Sequence, residues 1–358
     1  MISSIFQRSP ASSTRPGQRL FKKPSEEPVD AFKSVEPINA FKPALLTQPV
    51  AGGTATQAAP AASAAATTAA ALPGPLAALY SSVLCVVSDS AEGPRQLQTL
   101  ADQGKLSQVT LHNLNDLTQK PRAAGLDGAA LTRETLAVLS GPDQNIWQGN
   151  RYTCGAANLE RQLADNPESF TSLVANLSSL EGRTYLVGGF ELKRAEGCAR
   201  QDDSGRNNTD RLIQSSLMAA AGAGRGNYDV ATDRFGEDRD GGLKISEISA
   251  MTALTQNQSQ IVIAYDSKSA RATQELLAQL KPGETFQTAM TNWEGKEHML
   301  LFQGCQNGEV TYFDPSDHAQ HTIGLRDYLW KTQYLVLPQS LAERVQFPPE
   351  SVHSRVDL

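Results

Sequence analysis

Of the chain's four cysteines, Cys154 has neighbours that suggest a chemistry. The segment Trp147-Gln148-Gly149-Asn150-Arg151-Tyr152-Thr153-Cys154-Gly155-Ala156-Ala157-Asn158 passes from a glycine-containing loop into small residues and then Leu159, Glu160 and Leu163, which reads as a helix start. A cysteine there meets unpaired backbone N–H groups and the positive end of the helix dipole, and both favour thiolate over thiol. Gln148 precedes it by six residues. Its side-chain amide can fold back beside the thiol and donate, together with the Cys154 N–H, to an oxyanion.

A cysteine nucleophile also needs a base to take its proton and return it to the leaving group. Five histidines are available. His112 lies in a polar segment, His318 and His321 fall in a polar turn, and His353 is in the C-terminal tail, whereas His298 opens the apolar strand 298–302. The next strand, 310–314, returns through the turn Gln306-Asn307-Gly308 and closes on Asp314, which the hairpin brings beside His298. A carboxylate there would accept from the far ring nitrogen and fix the tautomer.

This combination of a glutamine six residues before a helix-starting cysteine, a strand-opening histidine and a strand-closing aspartate resembles the papain-like cysteine proteases over residues 141–340. The resemblance implies Cys154 as nucleophile, Gln148 as oxyanion donor, His298 as base and Asp314 as its orienting partner. It also implies an α+β fold in which the nucleophile helix packs against an antiparallel sheet. Gly155-Ala156-Ala157 replaces the small-residue and tryptophan pairing usual after the protease cysteine, and Asp314 stands where asparagine is commoner. Bacteriocin-processing peptidases, secreted effector proteases and transglutaminase-like enzymes each resemble parts of the pattern. The expected activity is hydrolysis of a peptide or isopeptide bond in a protein or peptide substrate, through a thioester and without a cofactor. The alternatives are a transglutaminase, deamidase or acyltransferase using the same trio, and a non-enzymatic interaction protein with a degenerate papain-like domain.

The elements that must position these residues follow from periodicity. Residues 94–103, 132–139, 154–163, 167–180, 210–221, 244–253 and 270–280 read as helices, and 76–87 fits either a helix or a buried strand. Short apolar or alternating runs at 183–187, 261–264, 286–291, 298–302, 310–313 and 334–337 read as strands. Helices followed by an antiparallel sheet make an α+β arrangement. Four regions result: a low-complexity tail over 1–71, a small helical region over 72–140, the catalytic domain over 141–340, and a C-terminal tail over 341–358.

Residues 1–71 are rich in Ser, Pro, Gln and Ala and cannot build a core, so disorder is expected there. Within them Asp30-Ala31-Phe32-Lys33 is echoed by Asn39-Ala40-Phe41-Lys42, either a chance similarity in biased sequence or a pair of short motifs that dock on a chaperone, secretion component or target. A net charge of -6 with no basic stripe argues against nucleic acid as a partner. The sequence shows neither a Sec-type leader nor a bilayer-spanning run, which predicts a cytoplasmic protein or one exported by a specialised system. A last motif, Asp238-Arg239-Asp240-Gly241-Gly242-Leu243-Lys244-Ile245-Ser246-Glu247, matches the later part of an EF-hand loop, with Asp238, Asp240 and Glu247 as calcium candidates. Its first position falls on Gly236, although Asp233 or Glu237 could substitute.

Overall fold

The computed structural model describes Thr68 and residues 74–236, 241–291 and 297–358. The 1–71 tail, with its two Phe-Lys motifs, thus lies outside the described residues apart from Thr68.

The described chain begins with four helices: α1 Gly74–Val87, α2 Glu92–Asp102, α3 Gln108–Gln119 and α4 Gly128–Ser140. Residues 76–87, ambiguous by periodicity, are therefore helical. Helix α3 escapes the periodicity reading because most of its residues are polar, yet Leu111, Leu114 and Leu117 line one buried side at a spacing of three. Side chains set the starts: Ser107 accepts from the Thr110 N–H to open α3, and Asp127 accepts from Ala129 N–H to open α4.

Next come α5 Pro142–Asn145, α6 Cys154–Leu163 and α7 Pro167–Ser178, the last capped by Asn166 with proline in its first turn. Strand β1 Arg183–Tyr185 pairs with β2 Glu191–Lys193 as a small separate ribbon, and α8 Asn208–Ala221 follows. Strands β3 Tyr228–Asp229 and β4 Arg234–Phe235 form a second small hairpin before α9 Ile245–Gln256.

The main sheet is built from β5 Gln260–Ala264, β6 Phe286–Thr291, β7 Glu297–Gln306, β8 Glu309–Asp314, β9 Ala319–Gly324, β10 Thr332–Pro338 and β11 Val352–Val356. Among the described residues its order is β11-β5-β10-β6-β7-β8-β9, antiparallel throughout. Helices α10 Ala270–Gln279, α11 Leu325–Lys331 and α12 Gln339–Ala342 are interleaved with it. The fold is α+β, as the sequence implies.

Five strands, β2, β3, β4, β9 and β11, fall outside the expected runs, and two of them carry histidines. β9 contains His321, which the sequence suggests is in a turn, and β11 contains His353, which it suggests is in a tail. Both are edge strands of alternating intermediate and exposed residues, so they lack the apolar run that marks an interior strand.

The core explains why the helical region matters to the rest. Leu114, Leu131 and Leu139 belong to one buried cluster with Ala156 and Leu159 of α6, Leu212 and Leu217 of α8, and Leu301 and Phe313 of the sheet. Residues 74–140 therefore form one wall of the environment of α6, the helix that starts at Cys154. A second cluster, including Leu300, Phe302, Val310, Leu276 and Tyr328, joins the sheet to α10 and α11. No helix among the described residues is long and apolar enough to cross a membrane.

Candidate active site

Cys154 is the first residue of α6, and the helix starts there because Thr153 leaves helical geometry. Gly155 permits the approach of this end to its neighbours, since a Cβ there would meet Ile248 Cδ1 at 2.9 Å and Met299 Cγ at 3.9 Å. The thiol is partly exposed. His298 and the backbone N–H groups of Met299 and Gly155 lie close enough to act on its charge.

His298 sits near the start of β7, paired opposite Met290 of β6. Strand β8 runs back alongside β7 with Phe313 opposite Leu301, so Asp314 is the next residue along and reaches the histidine. Its Oδ1 lies 2.8 Å from His298 Nε2 and also accepts from the Ser316 N–H at 2.8 Å. With Nε2 engaged by Asp314, Nδ1 is the nitrogen left for the cysteine. The structure thus brings Cys154, His298 and Asp314 together.

The electrostatics follow from this contact. Burial pushes the Cys154 thiol up, but the hydrogen bond and charge of His298, with the N–H groups of Met299 and Gly155, outweigh it and hold the thiol below its ordinary 9.0. Burial alone would lower His298; Asp314 and Cys154 reverse that and raise it to about 10. Burial also disfavours the Asp314 carboxylate, and His298 and Ser316 more than compensate, so it stays below the usual carboxylate range. The lowered thiol and the raised imidazole both favour a thiolate–imidazolium pair.

Gln148 is buried in the loop before the nucleophile. Its backbone N–H donates to the Pro315 carbonyl at 2.9 Å, which ties the loop to the residue after Asp314. Its side-chain Nε2 donates to the Arg151 carbonyl at 2.8 Å, and Oε1 is buried without a partner. One N–H of the side-chain amide remains for another acceptor. The turn depends on Gly149, whose φ of +64° lies in the left-handed region and where a Cβ would fall 2.1 Å from the Ser204 carbonyl.

Several residues hold this loop in roles that the sequence does not announce. The Trp147 indole donates to the Ser316 carbonyl at 3.0 Å. The Tyr152 N–H donates to Asp233, whose other oxygen accepts from the Tyr228 hydroxyl. Asp233 is 4% exposed, and burial raises its carboxyl despite both donors. Gln214 of α8 accepts from the Thr153 hydroxyl at 2.8 Å and donates to the Trp147 carbonyl at 3.2 Å and Glu160 Oε2 at 2.9 Å. The available signal was α8 itself, whose Asp210, Gln214, Ser215 and Ser216 are polar residues interleaved with Leu212, Ile213, Leu217 and Met218, all of them buried.

Of the calcium motif, Glu247 and the alternative Asp233 fall among the described residues, and both have other partners. Glu247 accepts from the Lys244 N–H at 2.7 Å and pairs with Arg225 at 3.1 Å, which makes it a helix-start residue. Asp233 is occupied by Tyr152 and Tyr228, and Asp238 and Asp240 lie outside the described residues. No group of three or more metal-ligating side chains occurs among the described residues.

No family model, curated protein or solved structure matches this chain, so the functional reading rests on the arrangement of Cys154, His298 and Asp314.

Proposed function

We propose that the protein is a papain-like cysteine hydrolase that cleaves a peptide or isopeptide bond in a protein or peptide substrate. The observation that carries this reading is the His298–Asp314 hydrogen bond beside the Cys154 thiol. In the proposed reaction the Cys154 thiolate attacks the scissile carbonyl carbon, forming a C–S bond and an oxyanion. The Cys154 N–H and the free N–H of Gln148 donate to that oxygen. The His298 imidazolium then gives its proton to the departing amine as the C–N bond breaks, leaving a thioester. Neutral His298 next takes a proton from water as it attacks the thioester. That step releases a carboxylic acid and restores the ion pair.

The test is hydrolysis of a fluorogenic peptide library and of unfolded proteins by the wild type, Cys154→Ala and His298→Ala. Each variant should lose at least ~10³-fold in kcat/KM. Cleavage that survives Cys154→Ala unchanged would refute the assignment. Including a primary-amine probe separates cutting from transfer, because only a transferase incorporates label in a Cys154-dependent way.

A further inference from the structure

We propose that Glu160 and Asp210 share a single proton, and that this bridged pair positions Trp147 and Gln148 against the nucleophile helix.

Glu160 lies on α6, six residues after Cys154, and is 0% exposed; Asp210 lies on α8 and is 1% exposed. Each carboxyl has one oxygen supplied with a donor. Glu160 Oε2 accepts from Gln214 at 2.9 Å, and Asp210 Oδ2 accepts from the Trp147 N–H at 3.2 Å. The other oxygens, Glu160 Oε1 and Asp210 Oδ1, are buried and have no donor. Yet both carboxyls are anchored on one residue, Asp210 on the Trp147 N–H and Glu160 through Gln214 on the Trp147 carbonyl, and the two interact there. Two acceptors so placed attract each other only if one carries a proton.

The surrounding charges require the same. Arg206 faces both carboxyls, and its side chain is fully buried, but its hydrogen bonds go to Ser204 and Asp202. Glu134 of α4 adds a further negative charge near Asp210. Two ionised carboxylates here would leave buried negative charge that Arg206 alone does not balance, whereas one shared proton leaves a single charge opposite it. Burial accordingly raises both carboxyls, Asp210 additionally through the charge of Glu160.

The bridge joins two helices to the loop. Glu160 is fixed to α6, Asp210 holds the Trp147 N–H, and Gln214 links the Trp147 carbonyl, Glu160 and Thr153. Gln148 follows directly in the chain. Both carboxyls are positioning residues, since neither is in contact with the thiol.

The primary test is proton linkage measured by urea unfolding across pH, which needs no activity. Above the ordinary carboxyl range the unfolded pair holds no proton and the folded pair holds one, so stability falls as pH rises, by a factor of ten in the folding constant per pH unit. Glu160→Gln replaces the proton donor with an amide N–H and should remove that one-proton slope between about pH 6 and 8. Asp210→Asn should remove the same slope. Should either variant fail to fold, the other decides the matter. A slope unchanged from wild type in the folded variant overturns the shared proton.

A second measurement reads the positioning role, and its kinetic part rests on the proposed hydrolase activity. Glu160→Ala should slow alkylation of Cys154 by iodoacetamide and lower kcat by about 10²-fold with little change in KM, and Glu160→Gln should restore most of both. If Glu160→Gln is as impaired as Glu160→Ala, positioning through the bridge is wrong. Altered alkylation without any hydrolysis in the wild type would leave the bridge standing and count against the hydrolase reading alone.

Discussion

His298 and Asp314 face each other across 2.8 Å, Nε2 to Oδ1, at the open end of a hairpin that separates them by 16 residues. Both are largely buried, with side chains 19% and 20% exposed, so their attraction is screened less than a surface pair's would be. The aspartate therefore has two effects: it fixes the ring, and it favours the ring's protonated form.

Replacing Asp314 with alanine should remove both. Cys154 alkylation at neutral pH is expected to slow, and kcat/KM to fall by ~10²-fold or more. Asparagine at 314 should preserve orientation and recover part of the loss. Stopped-flow alkylation of the two variants measures this directly.

The pH profile has two limbs of known sign. Cys154 is depressed below 9.0, so reactivity should rise as pH passes its depressed value; His298 stands near 10, so proton delivery to the leaving group should fail as pH rises through about 10. Stability follows the same shifts. The raised histidine contributes fully below its ordinary 6.5 and loses that contribution as pH climbs through about 10. The depressed cysteine contributes above 9.0 and loses its contribution as pH falls through its folded value. Iodoacetamide rates and hydrolysis rates against pH should share the acidic limb and differ on the alkaline one.

Gln148→Ala should lower kcat by ~10²-fold with KM little changed, since an oxyanion donor acts in the transition state. Because the substitution also frees the Arg151 carbonyl, unfolding measurements must accompany the kinetics. A drop confined to KM would remove Gln148 from the oxyanion role.

Gly149→Ala meets two obstacles, a φ of +64° and the Ser204 carbonyl 2.1 Å from the new Cβ. A loss of about 2 kcal/mol or more is expected in urea unfolding. Gly283 has a φ of +86° but nothing within 4 Å of a Cβ, so its alanine variant should cost less and serves as the comparison.

The trio was legible because each member marks an element boundary. Cys154 opens a helix, His298 lies near the start of a strand and Asp314 ends one, and turns and small residues announce such places in one dimension. The supports were not legible. Asp233 and Asp210 lie 81 and 63 residues from the backbone groups they hold, and nothing local tells a buried carboxylate from a solvated one. The acidic run around Glu247 showed the converse problem, since carboxylates at plausible metal spacing also serve as helix-start and arginine partners. Edge strands β9 and β11 were missed because exposure removes the apolar signal that pairing alone does not require.

The β7–β8 hairpin is held from both sides, with Leu301 and Phe313 among the helices and Leu300, Phe302 and Val310 in the opposite cluster. Neither half can melt without stripping the other of a wall, so denaturation is expected as one cooperative event. Heating should then yield no intermediate in which the sheet survives around a slack Cys154–His298–Asp314 cluster: Cys154 reactivity and far-ultraviolet ellipticity should vanish at the same temperature. By the same logic, a fragment starting at residue 141 forfeits the helical wall and should not fold alone.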